Sequence, residues 1–458
     1  MPRKANKARH YLKSLLIHDY VSDGAPGHPL DYPMSSTRRL VTSSSENSQT
    51  EVTQRRIVLI EFVLFAVLLV ILLQSPQRLV YDEVNTAPTI SAFHEYGPTS
   101  LYLNSLTHAS GPLFGAVYSA FSFVSHDAPY RLRFVNYGLT CTFVSLILWL
   151  LRREQFPFST SLAGAVIAIP AVWVCTGIAL DEMLGLVLLT GALVPLGKNA
   201  FESLDPPWKR ALWFLLAGVG IGLASLDRQP FILASVAILV ASIMCRRHVA
   251  CAMLTLVASI LVLAPVILTW RGLTPPLVGS HAGLAPEHGI LSLAYGGLFT
   301  LLIAPAYLRF KKWQIWFAVL SSFAINLAFG LIVLEPAKSL ALKFIPHNIM
   351  NLYGLVCGTL LLAVSIFYGV SLVARTIECR GEVRRLVSQL GLILLLTWPV
   401  IMKVQYSSRY TLMALPFLVL AVKDHYRVNS YTIARIVAGG LIGAAVLWTY
   451  YESSAYSS

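Results

Sequence analysis

Charge is what this sequence has least of. Only 12% of its 458 residues are Asp, Glu, Lys or Arg, while 56% are hydrophobic. A soluble domain carries about 25% charged residues, so the composition argues against a water-soluble fold. The apolar residues fall in repeated runs of about 17–25, the length at which a helix crosses a hydrocarbon core. The short alternating segments of a transmembrane β-barrel are lacking. Acid is scarcer than base, 22 residues against 35, for a net charge of +13. Such an excess suits nucleic acid. Here, however, the basic residues gather in alternate short loops, the positive-inside pattern of a polytopic membrane protein. Nucleic acid is not an expected partner, and membrane lipids are.

Cysteine is also scarce. Cys141, Cys175, Cys245, Cys251, Cys357 and Cys379 lie in apolar runs or in loops assigned to the cytoplasm, with no CxxC pair. No disulfide framework is expected. No cleavable signal is expected either, because residues 1–56 are polar, basic and rich in Ser and Thr, with no apolar core. That composition reads as a disordered cytoplasmic tail. The histidines show no HxxxH or HExxH spacing. A zinc site needs three or four ligands, so neither a metal nor another cofactor is expected. Glu83, His94 and His281 are the least unsuitable ligand set. No internal repeat is visible.

What is present is a run of helices sorted by charge. Arg55-Arg56 precede the first apolar run, 57–75, which places the N-terminus inside and Asp82 outside. Glu61, near the cytoplasmic end of that run, is expected to snorkel or pair. An outside segment, 76–132, follows. Residues 85–95 read as a short helix stopped by Gly97-Pro98. Residues 111–126 are apolar but short, and read as an interfacial helix. Further spans are expected at 133–151, 160–178, 182–197, 211–226, 230–245, 249–270, 290–308, 313–334, 349–373, 386–402, 410–422 and 431–450. The expected fold is therefore all-α and polytopic, about 13 transmembrane helices in one domain over 57–450. A short C-terminal tail, 451–458, follows on the outside.

This topology collects polar side chains on one face. Tyr81-Asp82-Glu83 stands directly after the first span, where two adjacent carboxylates near lipid call for a reason. Asp181-Glu182, Asp227-Arg228, Lys403 and Arg409 share that face with His94, His108, His281, His288 and His347. The plain reading of Asp82-Glu83 is a solvated pair at a helix N-terminus, where acid suits the dipole. The plain reading of Asp181 is a helix cap. Arg228 has Asp227 as a neighbouring counter-ion, whereas Arg409 has no adjacent acid and suits a phosphate.

The order of these features resembles the GT-C class of integral-membrane glycosyltransferases. The closest patterns are those of the protein O-mannosyltransferase and lipid A aminoarabinose transferase families, with similarity to dolichyl-phosphate-glucose glucosyltransferases at the first loop. Four stretches carry the resemblance, which covers 57–422. They are Asp82-Glu83 followed by Gly111-Pro112-Leu113-Phe114; Ala179-Leu180-Asp181-Glu182; Gly218 through Arg228-Gln229-Pro230; and Tyr406-Ser407-Ser408-Arg409-Tyr410 leading to Pro416. One departure is the first loop, which offers His108 where many relatives have a basic residue.

The resemblance implies a GT-C-type bundle with interfacial helices in the first outside loop. It also implies transfer of a sugar from a polyprenyl-phosphate donor to a glycan, lipid or protein hydroxyl on the non-cytoplasmic face. Asp82 is the expected base, with inversion at the anomeric carbon, and Glu83 its catalytic partner. Asp181, Glu182, His94 and His108 are expected to bind the acceptor. Arg409, Arg228 and Lys403 are expected to hold the donor phosphate. Short, cysteine-free outside loops favour a bacterial inner membrane with a periplasmic site. The rival readings are a polytopic lipid or sugar transporter or flippase, and a lipid-binding scaffold without turnover. A transporter more often shows paired repeats and polar groups near mid-membrane, whereas these acids lie at helix ends.

Overall fold

A computed structural model describes residues 36–107, 111–121, 129–201, 206–278, 283–308, 312–329, 346, 349–403 and 406–453. The chain divides into two units, Met1–Gln49 and Thr50–Ser458. The described residues contain helices and connecting turns and no strand. Helix α1 spans Ser36–Leu73. No proline or glycine interrupts that stretch, so helix continues upstream of the apolar run. Residues 36–56 lie within this helix, and the rest of the expected tail lies outside the described residues.

Three short helices follow α1. Tyr81 turns the chain with a positive φ of 51°, and α2 (Glu83–Tyr96) begins at once. Gly97, at φ 59°, ends it, as Gly97-Pro98 implied. Helix α3 (Ser100–Ser105) is capped by the Thr99 side chain. Helix α4 (Leu113–Ala120) has 8 residues, about 12 Å at 1.5 Å per residue, which is too short to cross a membrane. The expected helix over 111–126 is thus shorter at both ends, and residues 122–128 lie outside the described set.

The main bundle comprises α5 (Pro129–Arg153), α6 (Ser159–Gly164), α7 (Pro170–Gly177), α8 (Glu182–Leu193), α9 (Lys198–Phe201), α10 (Pro207–Asp227), α11 (Leu233–Cys245) and α12 (Val249–Trp270). It continues with α13 (Pro286–Ile303), α14 (Lys312–Phe329), α15 (Met350–Glu378), α16 (Val383–Thr397), α17 (Ser408–Leu412), α18 (Leu415–Val422) and α19 (Ser430–Ser453). Seven of the described helices are long and apolar enough to cross a membrane. Counting Ser159–Ala168 with Pro170–Gly177, a pair bent by 72°, gives eight. The chain is a multi-pass helical membrane protein, but the described residues do not reach thirteen spans. Runs that read as single spans are broken: Pro170 bends one, and 410–422 divides into α17 and α18. Helices α8 and Gln229–Cys245 are apolar but short.

Small residues set the closest approach. A Cβ on Gly218 would stand 2.5 Å from the Thr255 carbonyl oxygen, and one on Gly222 would stand 2.7 Å from Val262 Cβ. Backbone contact replaces side-chain filling between α10 and α12, as in small-residue membrane packing. The Ser259 hydroxyl donates to the Gly218 carbonyl at 2.9 Å across this seam. Glu61 does not snorkel. It is 4% exposed and packs against Gly164, where a Cβ would meet its carboxylate at 2.0 Å.

Charge separates along the bundle. At the C-terminal end of α5, Glu154 pairs with Lys423 at 2.5 Å and with Arg384. Arg385 reaches Asp424 at 3.3 Å. These residues come from loops assigned to one face by the charge pattern. The opposite end of α5 holds Arg133 and the acidic residues of the other face.

Gly111 fixes how the first loop meets the bundle. Its N–H donates to the Asp227 carbonyl at 2.7 Å. A Cβ there would lie 1.7 Å from the Leu226 carbonyl oxygen. Gly111→Ala is expected to force the two backbones apart and cost about 1–3 kcal/mol, the range for overpacking. Thermal unfolding in detergent checks this, and an unchanged midpoint would reject the close approach.

Candidate active site

Two charge clusters form where the first loop meets the bundle. The inner one is built on Glu83 and Arg133, both 0% exposed. The Arg133 guanidinium donates to Glu83 twice, from Nε to Oε1 at 2.9 Å and from Nη2 to Oε2 at 2.7 Å. It also donates to the carbonyls of Pro76 at 2.6 Å and Arg78 at 2.8 Å. Glu83 accepts the Val80 N–H at 2.9 Å and the Ala179 N–H at 2.8 Å. A planar five-donor fork suits such a junction. It joins the turn after α1, the start of α2, the start of α5 and the link from α7 to α8.

Glu83 is therefore fully engaged in holding the fold. The geometry does not support the expectation that it acts beside Asp82 in catalysis, because both its oxygens are occupied by Arg133 and two backbone amides. One turn further along α5, Asn136 Nδ2 lies 2.8–3.1 Å from the carbonyls of Cys175, Ile178 and Leu180. The Tyr118 hydroxyl donates to its Oδ1. These bonds satisfy the chain where it leaves α7 and aim Asp181-Glu182 at the cluster.

The outer cluster joins residues far apart in sequence. Arg228 Nη2 lies 2.8 Å from Asp181 Oδ1 and 2.6 Å from Glu182 Oε1. Arg409 Nη1 lies 2.5 Å from Asp82 Oδ2. Arg409 Nε stands 3.3 Å from Glu182 Oε1, at ion-pair distance but outside hydrogen-bond geometry. The Tyr410 ring lies under both cations, 5.3 Å from the Arg409 guanidinium carbon and 6.0 Å from that of Arg228. The cluster is graded in exposure: the Asp82 side chain is 26% exposed, that of Arg409 13%, and those of Asp181 and Glu182 0%.

The outer cluster has unused hydrogen-bonding capacity. Among the described residues, Asp181 Oδ2, Glu182 Oε2, Arg228 Nε and Arg409 Nε are buried without a hydrogen-bond partner. Both oxygens of Asp227 are in the same state. Asp227 does not pair with Arg228, although the two are neighbours in sequence. Arg228 turns instead toward Asp181 and Glu182. Burial opposes the charge on Arg228 and Arg409, but the facing carboxylates outweigh it, so both remain cationic. Burial, and then the Asp82 carboxylate, push the Tyr81 phenol above its ordinary range.

The fold thus brings together Asp82, Asp181, Glu182, Arg228 and Arg409, and leaves others apart. His94 is exposed in the last turn of α2, about 18 Å along the helix from Asp82 at 1.5 Å per residue. Lys403 is exposed, with its stem against Gly283. Neither joins the cluster, so the acceptor role expected of His94 and the phosphate role expected of Lys403 have no support in the geometry. His108 and His281 lie outside the described residues. Among the described residues, no group of three or more His, Cys, Asp or Glu is arranged to hold a metal.

Sequence reasoning missed Arg133, Asn136 and Tyr118. A signal existed for the first two. Arg133, Asn136 and Thr140 recur at i, i+3 and i+7 and form a polar stripe on one face of a span, and all three are 0% exposed.

These features define a polytopic helical membrane protein with a buried, partly unsatisfied charge cluster at one end of its helices. No family model matches the chain, and no curated protein matches it. Among solved structures, the chain is similar to crystal structures of ArnT from Cupriavidus metallidurans. The apo form has a TM-score of 0.41 at 13% identity, over 86% of this chain and 76% of that one. The form bound to undecaprenyl phosphate has a TM-score of 0.40 at 13% identity, over 86% of this chain and 77% of that one.

Proposed function

We propose that the chain is a glycosyltransferase that moves a sugar from a polyprenyl-phosphate donor to an acceptor hydroxyl, with inversion. The observation that carries this reading is Arg409, which stands between Asp82 and Glu182 at the exposed edge of a buried charge cluster. A carboxylate and a guanidinium set side by side there supply the two things the reaction needs.

Asp82 takes the proton of the acceptor hydroxyl as its oxygen bonds to the anomeric carbon. The bond from that carbon to the phosphate oxygen breaks, and polyprenyl phosphate leaves. Arg409 offsets the charge that grows on the phosphate, and Arg228 adds its field from behind. Nucleophile and leaving group occupy opposite faces of the sugar in an inverting displacement. A sugar does not fit inside a 2.5 Å contact, so donor binding draws Asp82 and Arg409 apart, one to each end of the reacting bond. Asp181 and Glu182 hold Arg228 in place, and their free oxygens face the cluster as acceptors for substrate hydroxyls. The acceptor is a glycan, lipid or protein hydroxyl.

Arg409→Ala tests the reading. The expected result is an approximately 10–100-fold weaker affinity for polyprenyl phosphate, the worth of one charge-assisted hydrogen bond. Binding of undecaprenyl phosphate to the protein in nanodiscs measures it. Unchanged affinity would remove Arg409 from the phosphate site.

A further inference from the structure

Tyr81 is the residue beside this site that neither the fold nor the proposed chemistry has yet used. Its φ of 51° places it in the left-handed region, which a bulky side chain rarely adopts and only under strain. Glycine or asparagine would make the same turn with less strain. The next residue is Asp82, and the turn sets where that carboxylate points.

The Tyr81 side chain is not buried in return for the strain. The residue is 47% exposed. Its ring stands edge-on to Tyr450 of α19, with centroids 5.2 Å apart. Tyr81 directly precedes Asp82, and the side chains of Asp82 and Arg409 are partly exposed as well. The charges of Asp82, Arg409 and Glu182 all act on its phenol, which stays protonated at neutral pH. A neutral phenol at the mouth of an anion site is a hydrogen-bond donor without a counter-charge of its own.

We propose that Tyr81 is a further catalytic residue of this site, its phenol donating to the phosphate of the lipid-linked donor opposite Arg409. The strained turn places that hydroxyl and the Asp82 carboxylate on the same substrate. This role rests on the glycosyltransferase reading and deepens it.

Tyr81→Phe isolates the hydroxyl, because phenylalanine keeps the ring, the Tyr450 contact and the backbone strain. The expected result is about a 10-fold loss in affinity for undecaprenyl phosphate in nanodiscs, with the unfolding midpoint unchanged. Tyr81→Asn, which accepts the turn, is expected to lose the same affinity and to unfold at the wild-type temperature or above. A Tyr81→Phe variant that binds as wild type, while wild type itself retains the lipid phosphate, would overturn the Tyr81 role and leave the enzyme reading standing. A wild-type protein that fails to retain undecaprenyl phosphate would overturn both. An equal loss of binding and of folding stability in Tyr81→Phe would make the residue structural and overturn its contact with substrate.

Discussion

Asp82→Asn is expected to lower sugar transfer about 10²–10⁴-fold, the usual worth of a general base, while the protein stays folded. The two effects separate because of how Asp82 is held. Its side chain makes no capping hydrogen bond to α2, so asparagine removes no helix cap. Asparagine keeps an oxygen in the place of the carboxylate oxygen that faces Arg409, so the contact loses its charge but keeps a hydrogen-bond acceptor. Arg409 keeps Glu182 as a neighbour after the change. Release of polyprenyl phosphate from a lipid-linked sugar measures the chemistry, and thermal unfolding measures the fold. Near-normal release by Asp82→Asn would end the proposed role of this carboxylate.

Arg133→Ala is expected to be the most damaging change to stability, at about 3–5 kcal/mol. That is the cost of removing one partner of a buried ion pair. Glu83 would keep a charge with no counter-ion, and the carbonyls of Pro76 and Arg78 would lose their donors. Arg133→Lys is also expected to destabilise, because an ammonium cannot bridge both oxygens of Glu83 and both carbonyls. Replacing Glu83 and Arg133 together by methionine should recover part of the loss, since no lone charge remains buried. Equilibrium unfolding in detergent reads these values. A wild-type midpoint for Arg133→Ala would show that the pair does not organise the junction. The same logic separates neighbours in sequence: Asp82 variants should lose turnover with little change in folding, and Glu83 variants should lose folding first.

Much of the architecture was legible without coordinates. Low charge and long apolar runs require membrane helices, because a backbone in lipid satisfies its hydrogen bonds internally only in a helix or a closed barrel. The alternation of basic loops sorted the charged residues into two sets. The fold keeps them apart, with Glu154 pairing with Lys423 and Arg384, and Arg385 with Asp424, at one end and Asp82, Asp181, Glu182, Arg228 and Arg409 meeting at the other. The stop at Gly97 was also readable, since glycine supplies the positive φ that ends α2. Span counting fared worse. Hydropathy averages over a window and passes through the 72° bend before Pro170 and the break between α17 and α18.

What sequence alone determined is the class of molecule, a multi-pass helical membrane protein, and the division of its charged residues into two sets. Those follow from the cost of placing charge in lipid, which acts residue by residue. The partners were decided only by tertiary structure. Asp82 and Glu83 are adjacent and chemically alike. One lies at the open edge against Arg409, and the other is locked inside by Arg133 and two backbone amides. Arg228 passes over Asp227 beside it and binds Asp181 and Glu182, more than forty positions away. Ion pairing depends on distance and desolvation after folding, and no sequence spacing encodes either.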